Sequence, residues 1–251
     1  MAEVAVHPTL AARVIVATRR IEGRLLLLAL ALSGAVWAFA ALWDAVEDRH
    51  TGGFDRAVLL ALRVPGHPDI LAGPRWLQEC ARDLTALGGF TVLTLISLMA
   101  VAVLVMQRRR LQALIFAATV VLAQALAEGI KLIVARPRPD IAAHFDLVYS
   151  SSFPSGHATM APVVYLTLAV ILAAGEPRRD VRALMFACAV ALILVVGVSR
   201  VYLGVHWPTD VLAGWVLGAA IALVAMTVLR VTARKLHQGG EVVRPAEGPA
   251  N

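Results

Sequence analysis

The sequence predicts an all-α fold: a polytopic membrane protein built as a six-transmembrane-helix bundle, with short surface helices in its first external segment. Two observations carry this. The chain of 251 residues is 59% hydrophobic and only 16% charged, with a mean hydropathy of +0.76, far too apolar for an ordinary soluble domain of that length. Its apolar residues also gather in runs of about twenty, enough to cross ~30 Å of hydrocarbon, with short basic clusters between them. The net charge of +6 therefore reads as a topology signal, and nucleic acid is not expected as a partner. Two cysteines, Cys80 and Cys188, cannot form a disulfide framework.

Residues 1–23 form a mixed segment with Arg13, Arg19 and Arg20. The first span, Arg24 to Trp43, contains no acid. Ala38-Phe39-Ala40 has the look of a signal-peptide cleavage site, but the apolar run exceeds the roughly 7–15 residues of that role, so a retained anchor is expected. From Asp44 to Gly89 acids and arginines interleave, which excludes a span. Phe54 to Val64 and Ile70 to Leu87 carry apolar residues at near-helical spacing, with Pro65-Gly66 between them. They suit short helices on the membrane surface, or equally a lid packed on the bundle. Gly89 to Met106 is the second span, closed by Arg108-Arg109-Arg110, and Leu111 to Ala135 is the third, interrupted by Gln124, Glu128 and Lys131. Ala158 to Ala174, Ala183 to Leu203 and Val211 to Val231 complete the set. The expected organisation is one domain over 24–231, flanked by the 1–23 segment and a basic tail over 232–251, whose residues 238–251 are expected to be disordered.

Arginine placement sets the topology. The first residues, the Arg108–Arg110 turn, the turn from Arg178 to Arg182 and the tail fall on one side of a six-span path, and such loops stay cytoplasmic. Both termini are then cytoplasmic in a bacterial-type inner membrane. The 44–89 segment and the loops at 136–157 and 204–209 face outward.

Each outward loop carries polar chemistry. Lys131 and Arg138 lie seven residues apart, two helical turns, and Pro137 and Pro139 push the arginines before them toward extended backbone. The helix should stop near Ala135, leaving the cations as an anion site or as side chains snorkelling to the interface. Ser155-Gly156-His157 leads into the fourth span. A helix amino end there offers unpaired N–H groups to an oxyanion, with Gly156 allowing close approach; a plain Ser cap is the alternative. Finally, Trp207-Pro208 opens the last helix, which sets His206 and Asp210 four residues apart on one face, with Arg200 upstream. A carboxylate can hold one imidazole nitrogen and leave the other as base or nucleophile. The competing reading is an interfacial loop anchored by its Trp. Two histidines, a carboxylate, three cations and a helix amino end on one face suit phosphoryl transfer, whose five-coordinate transition state needs cations, an in-line nucleophile and an acid.

Lys131-(six residues)-Arg138-Pro139, then Pro154-Ser155-Gly156-His157, then Ser199-Arg200-(five residues)-His206-(three residues)-Asp210 resembles the three-part signature of the type 2 phosphatidic acid phosphatase superfamily. The resemblance implies that His206 becomes phosphohistidine, Asp210 orients it and His157 protonates the leaving oxygen. Lys131, Arg138, Ser155, Gly156 and Arg200 would hold the phosphoryl oxygens; Arg136 falls out of the signature's register. It implies a metal-independent lipid phosphatase with no cofactor, acting on a lipid phosphate among the membrane lipids. Undecaprenyl diphosphate is the first choice, with phosphatidic acid or phosphatidylglycerophosphate next. The alternatives are a lipid phosphotransferase using the same intermediate, a vanadium haloperoxidase, and a transporter that uses Gln124, Glu128 and Lys131 as a polar path.

Overall fold

In the computed structural model, residues 10–140 and 151–241 are described. The start of the amino-terminal segment, part of the 136–157 loop and the end of the tail lie outside them. Eight helices run in order: α1 (Leu10–Glu47), α2 (Gly52–Ala61), α3 (Arg75–Ala86), α4 (Phe90–Met106), α5 (Arg110–Val134), α6 (Gly156–Ala173), α7 (Arg179–Tyr202) and α8 (Pro208–Glu241). Five contain segments long and apolar enough to cross a membrane: Leu25–Glu47, Arg110–Val134, Gly156–Ala173, Arg179–Tyr202 and Pro208–Thr232. The sixth expected span is α4, whose 17 residues reach only ~25 Å. It passes the same test when joined to α3, from which it is bent by 44°.

Helix α6 is the hub. Inside the bundle 72% of its span is buried, against 22% to 33% for α5, α7 and α8, so its small and β-branched residues face helices on all sides. Met160, Val163, Val164 and Ile171 meet Leu93 and Leu104 of α4 and Phe116 of α5 in the main core. Phe153, just before α6, closes a second cluster with Phe39 and Trp43 of α1. Leu26, Leu95, Leu98, Leu132 and Ile133 remain exposed, which in a bilayer is contact with lipid tails.

Helices α6 and α8 share the most extensive packing of any helix pair, and glycine makes their close approach possible. A Cβ on Gly214 would lie 2.9 Å from the Ser155 carbonyl oxygen, and one on Gly218 would overlap the carbonyl of Thr159. The two glycines are four residues apart, the small-xxx-small spacing that lets membrane helices approach backbone to backbone. Gly218→Ala should therefore force α8 away from α6 and lower stability by about 1–3 kcal/mol. Thermal unfolding in detergent would show it as a reduced midpoint.

Two segments depart from the sequence expectation. Residues 63–71 form an antiparallel hairpin, β1 (Arg63–Val64) with β2 (His67–Leu71), instead of helix ends around Pro65-Gly66. Gly66 supplies the positive φ of 81° that reverses the chain, and Arg63 is held there because it donates to the Tyr202 carbonyl at the carboxyl end of α7, 2.9 Å away. Helix α8 also runs past the expected Val231 end to Glu241. The remainder of the 44–89 segment supplies the two expected short helices, α2 and α3.

Candidate active site

Helix α5 ends where predicted. Ala135 adopts the left-handed region at φ 46°, its N–H returning to the Lys131 carbonyl at 3.1 Å, and the chain turns so that Arg136 and Arg138 point back over the bundle. Nearby, Ser155 caps α6, Arg200 lies in the last turn of α7, and Pro208 opens α8 after the His206 loop. Four helix ends thus meet at one end of the bundle.

They close around a cavity of about 640 Å³ that extends between α4 and α5. Lys131, Arg138, Gly156, His157, Arg200 and His206 line its polar end. A Cβ on Gly156 would come within 3.2 Å of Lys131 Nζ, so the glycine keeps this backbone open to an anion beside the ammonium group. Lys131 also pairs with Glu128 at 2.8 Å. Arg138 donates to the Val205 carbonyl at 2.8 Å, and Arg200 reaches the Thr85 hydroxyl of α3 at 3.3 Å.

His206 is buried and held from both sides. Its Nδ1 lies 3.3 Å from Ser152 Oγ and 3.5 Å from Asp210 Oδ2, whereas its Nε2 lies 3.3 Å from Arg138 Nη1. An acceptor at Nδ1 and a cation at Nε2 favour the tautomer with the proton on Nδ1 and the lone pair on Nε2. Burial lowers the His206 pKa to about 4; Asp210 pushes it up, and Arg138 and Arg200 push it down. The imidazole is neutral at neutral pH, as a nucleophile must be.

Behind His206 stands a network that sequence reasoning missed. Asp210 accepts from Ser152 Oγ, from the Trp207 N–H at 2.9 Å and from Arg136 Nη1 at 2.5 Å. Arg136 also donates to Asp55 Oδ2 at 2.7 Å and to the Thr209 hydroxyl at 2.8 Å. Asp55 in turn accepts the Thr209 N–H at 3.0 Å and its hydroxyl at 2.7 Å, so one guanidinium joins two buried carboxylates. One signal was available for Asp55: it shares a helix face with Leu59, four residues on, and an acid on a buried face needs a partner. Arg136, set aside on register, is that partner.

Of the expected site residues, seven meet here: six around the cavity, and Asp210 behind His206. Ser155 lies apart from the lining. It is fully buried, its hydroxyl accepts the Ala158 N–H at 3.5 Å, and its own N–H donates to the Asp210 carbonyl at 3.0 Å.

A membrane-helix bundle with a cation-rimmed cavity and a carboxylate-held histidine defines an integral-membrane phosphoric ester hydrolase. The chain belongs to the PAP2 superfamily, whose family model matches residues 112–233. It is 35% identical to phosphatidylglycerophosphatase B of Bacillus subtilis over 156 residues, 59% of this chain and 73% of that one. It is 36% identical to decaprenylphosphoryl-5-phosphoribose phosphatase of Mycobacterium tuberculosis over 177 residues, 68% of this chain and 89% of that one. Among solved structures it resembles a transmembrane PAP2-type phosphatidylglycerolphosphate phosphatase from Bacillus subtilis. The TM-score is 0.72 at 27% identity, covering 81% of this chain and 96% of the other.

Proposed function

We propose that this enzyme hydrolyses a phosphomonoester or diphosphate of a membrane lipid through a phosphohistidine formed at His206. The observation that carries the reading is the two-sided hold on the ring: Nδ1 toward Asp210 and Ser152, Nε2 toward Arg138 at the cavity's polar end. The phosphoryl oxygens lie among Lys131, Arg138, Arg200 and the Gly156 amide, which offset the charge of the five-coordinate transition state. His206 Nε2 attacks phosphorus as the bond to the leaving oxygen breaks, and His157 donates a proton to that oxygen. His157 then takes a proton from water, whose oxygen attacks phosphorus, breaks the P–N bond and frees inorganic phosphate. Ser155 contributes through the α6 cap beside Gly156. Phosphatidic acid and phosphatidylglycerophosphate present a terminal phosphomonoester, and undecaprenyl diphosphate presents a terminal phosphate on a phosphoanhydride; relatives named as phosphatidylglycerophosphatase B and decaprenylphosphoryl-5-phosphoribose phosphatase support a lipid phosphate as substrate.

The same arrangement fits an external active site in an inner membrane. Helix direction places the Arg108–Arg110 and Arg178–Arg182 turns at the bundle end opposite His206, which suits a cytoplasmic side for the arginines.

Phosphate release from purified protein should persist in excess EDTA, because fixed cations surround the phosphoryl site. Among the described residues no group of three His, Cys, Asp or Glu gathers to hold a metal. Rapid quenching with a radiolabelled lipid phosphate should trap acid-labile, base-stable label on His206. Metal-reversible loss of activity, or label on another residue, would overturn the mechanism.

A further inference from the structure

Helix α3 has three distinct sides. At about 100° per residue, Trp76, Leu77 and Leu84 share one side, and Ala81 and Thr85 a second. Arg75, Glu79, Arg82 and Asp83 hold the third. Only the second side is buried. Ala81 packs with Tyr202, Leu203 and Val205, the stretch that leads into His206, and the Thr85 hydroxyl accepts from Arg200 Nη1 at 3.3 Å. The apolar side stays open, with Trp76 62% exposed and Leu77 and Leu84 exposed beside it.

The length of α4 shows what covers that open side. Its 17 residues reach ~25 Å, short of ~30 Å of hydrocarbon, so the apolar layer continues past the exposed Phe90 onto α3. Bent by 44° from α4, the 12 residues of α3 then climb ~13 Å obliquely through the headgroup layer. An apolar side with a Trp at its upper end suits lipid there, while the charged side turns to water.

The junction between the two helices also touches the site. A Cβ on Gly88 would lie 2.3 Å from Val196 Cγ1 and 3.3 Å from His157 Cβ, and Tyr165 donates to the Leu87 carbonyl at 2.7 Å. Anchored in this way to α6 and α7, the junction is the point about which α3 tilts. At 3.3 Å the Arg200–Thr85 bond is already long, so a slight tilt decides whether it is made.

We infer that α3 is seated in membrane lipid by Trp76, Leu77 and Leu84, and that Thr85 passes this seating to Arg200 as a positioning residue, so that the grip on the phosphoryl group depends on the contact of α3 with lipid. Arg200 is 2% exposed and lines the polar end of the cavity, where the direction of its planar fork sets which phosphoryl oxygens it reaches.

The inference rests on the lipid phosphatase reading, and the test separates the two. Protein in phospholipid nanodiscs is assayed for phosphate release from dioctanoyl phosphatidic acid and for inhibition by orthovanadate, which mimics the five-coordinate transition state. Thr85→Val should lower kcat/KM about tenfold or more and raise the vanadate Ki by a similar factor. Thr85→Ser, which keeps the hydroxyl, should stay within about twofold of wild type on both. Trp76→Gln with Leu77→Gln, ~12 Å or more from Thr85 along α3, should weaken both severalfold, yet add nothing in the Thr85→Val background. Sites that far apart add their effects when they act independently. Wild-type behaviour of Thr85→Val or of the lipid-side pair, equal losses in Thr85→Ser and Thr85→Val, or additive losses in the combined variant would overturn the inference and leave the phosphatase standing. No phosphate release by the wild type would remove both.

Discussion

His206→Ala is expected to reduce kcat/KM for any lipid phosphate by roughly four orders of magnitude or more, since it removes the atom that bonds to phosphorus. The fold should survive. Asp210 keeps Arg136, Ser152 and the Trp207 amide when the imidazole is gone, so no buried carboxylate is stranded. A folded variant that releases phosphate at near wild-type rate would sink the proposed nucleophile. The wild-type pH profile gives a companion measurement. The nucleophile must be neutral, and burial holds its pKa near 4 against the usual 6.5. The acid limb of kcat/KM, which reports the free enzyme, should accordingly lie well below pH 6.5.

Much of this arrangement was legible from the residues, for definite reasons. Apolar runs near twenty residues locate α5 to α8 because a bilayer imposes length and hydropathy together. The end of α5 was legible because two Arg-Pro pairs disfavour helix, although the turn itself is made by Ala135, which has no sequence signature. Lys131, His157, Arg200 and His206 were legible as a set because each stands at the polar end of an apolar run, and helix ends on one side of a membrane must meet. The β1–β2 hairpin was not, since it is short and depends on Arg63 finding the α7 carboxyl end, a contact 139 residues away in the chain. Ser155 illustrates the reverse. Its position at a helix start allows either an anion contact or a cap, and only the tertiary placement of Asp210 against its N–H shows the hydroxyl turned to Ala158.

Arg136 is where sequence register and structure part most widely, and its removal should have the second largest effect. Arg136→Ala strips a shared cation from Asp55 and Asp210, both buried, and breaking such a pair from one side typically costs about 3–5 kcal/mol. Activity should fall by roughly 10²-fold or more, because Asp210 loses a contact that fixes it behind His206. Instability alone would also lower activity, so the variant that decides is Arg136→Gln combined with Asp55→Asn. That pair removes one positive and one negative charge together and retains amide hydrogen-bonding groups, so much of the stability should return. The Asp210 charge, however, stays without its guanidinium. His206 faces Asp210 from α8, His157 from α6, Arg200 from α7 and Arg138 from the loop after α5, and of these Asp210 alone favours its protonated form. With Arg136 gone, that pull is less compensated, so the imidazole pKa rises and the acid limb of kcat/KM moves upward toward pH 6.5. A stable double variant with wild-type rate and an unmoved acid limb would reduce Arg136 and Asp55 to structural cement; a limb displaced upward at restored stability would establish both as positioning residues of the phosphatase.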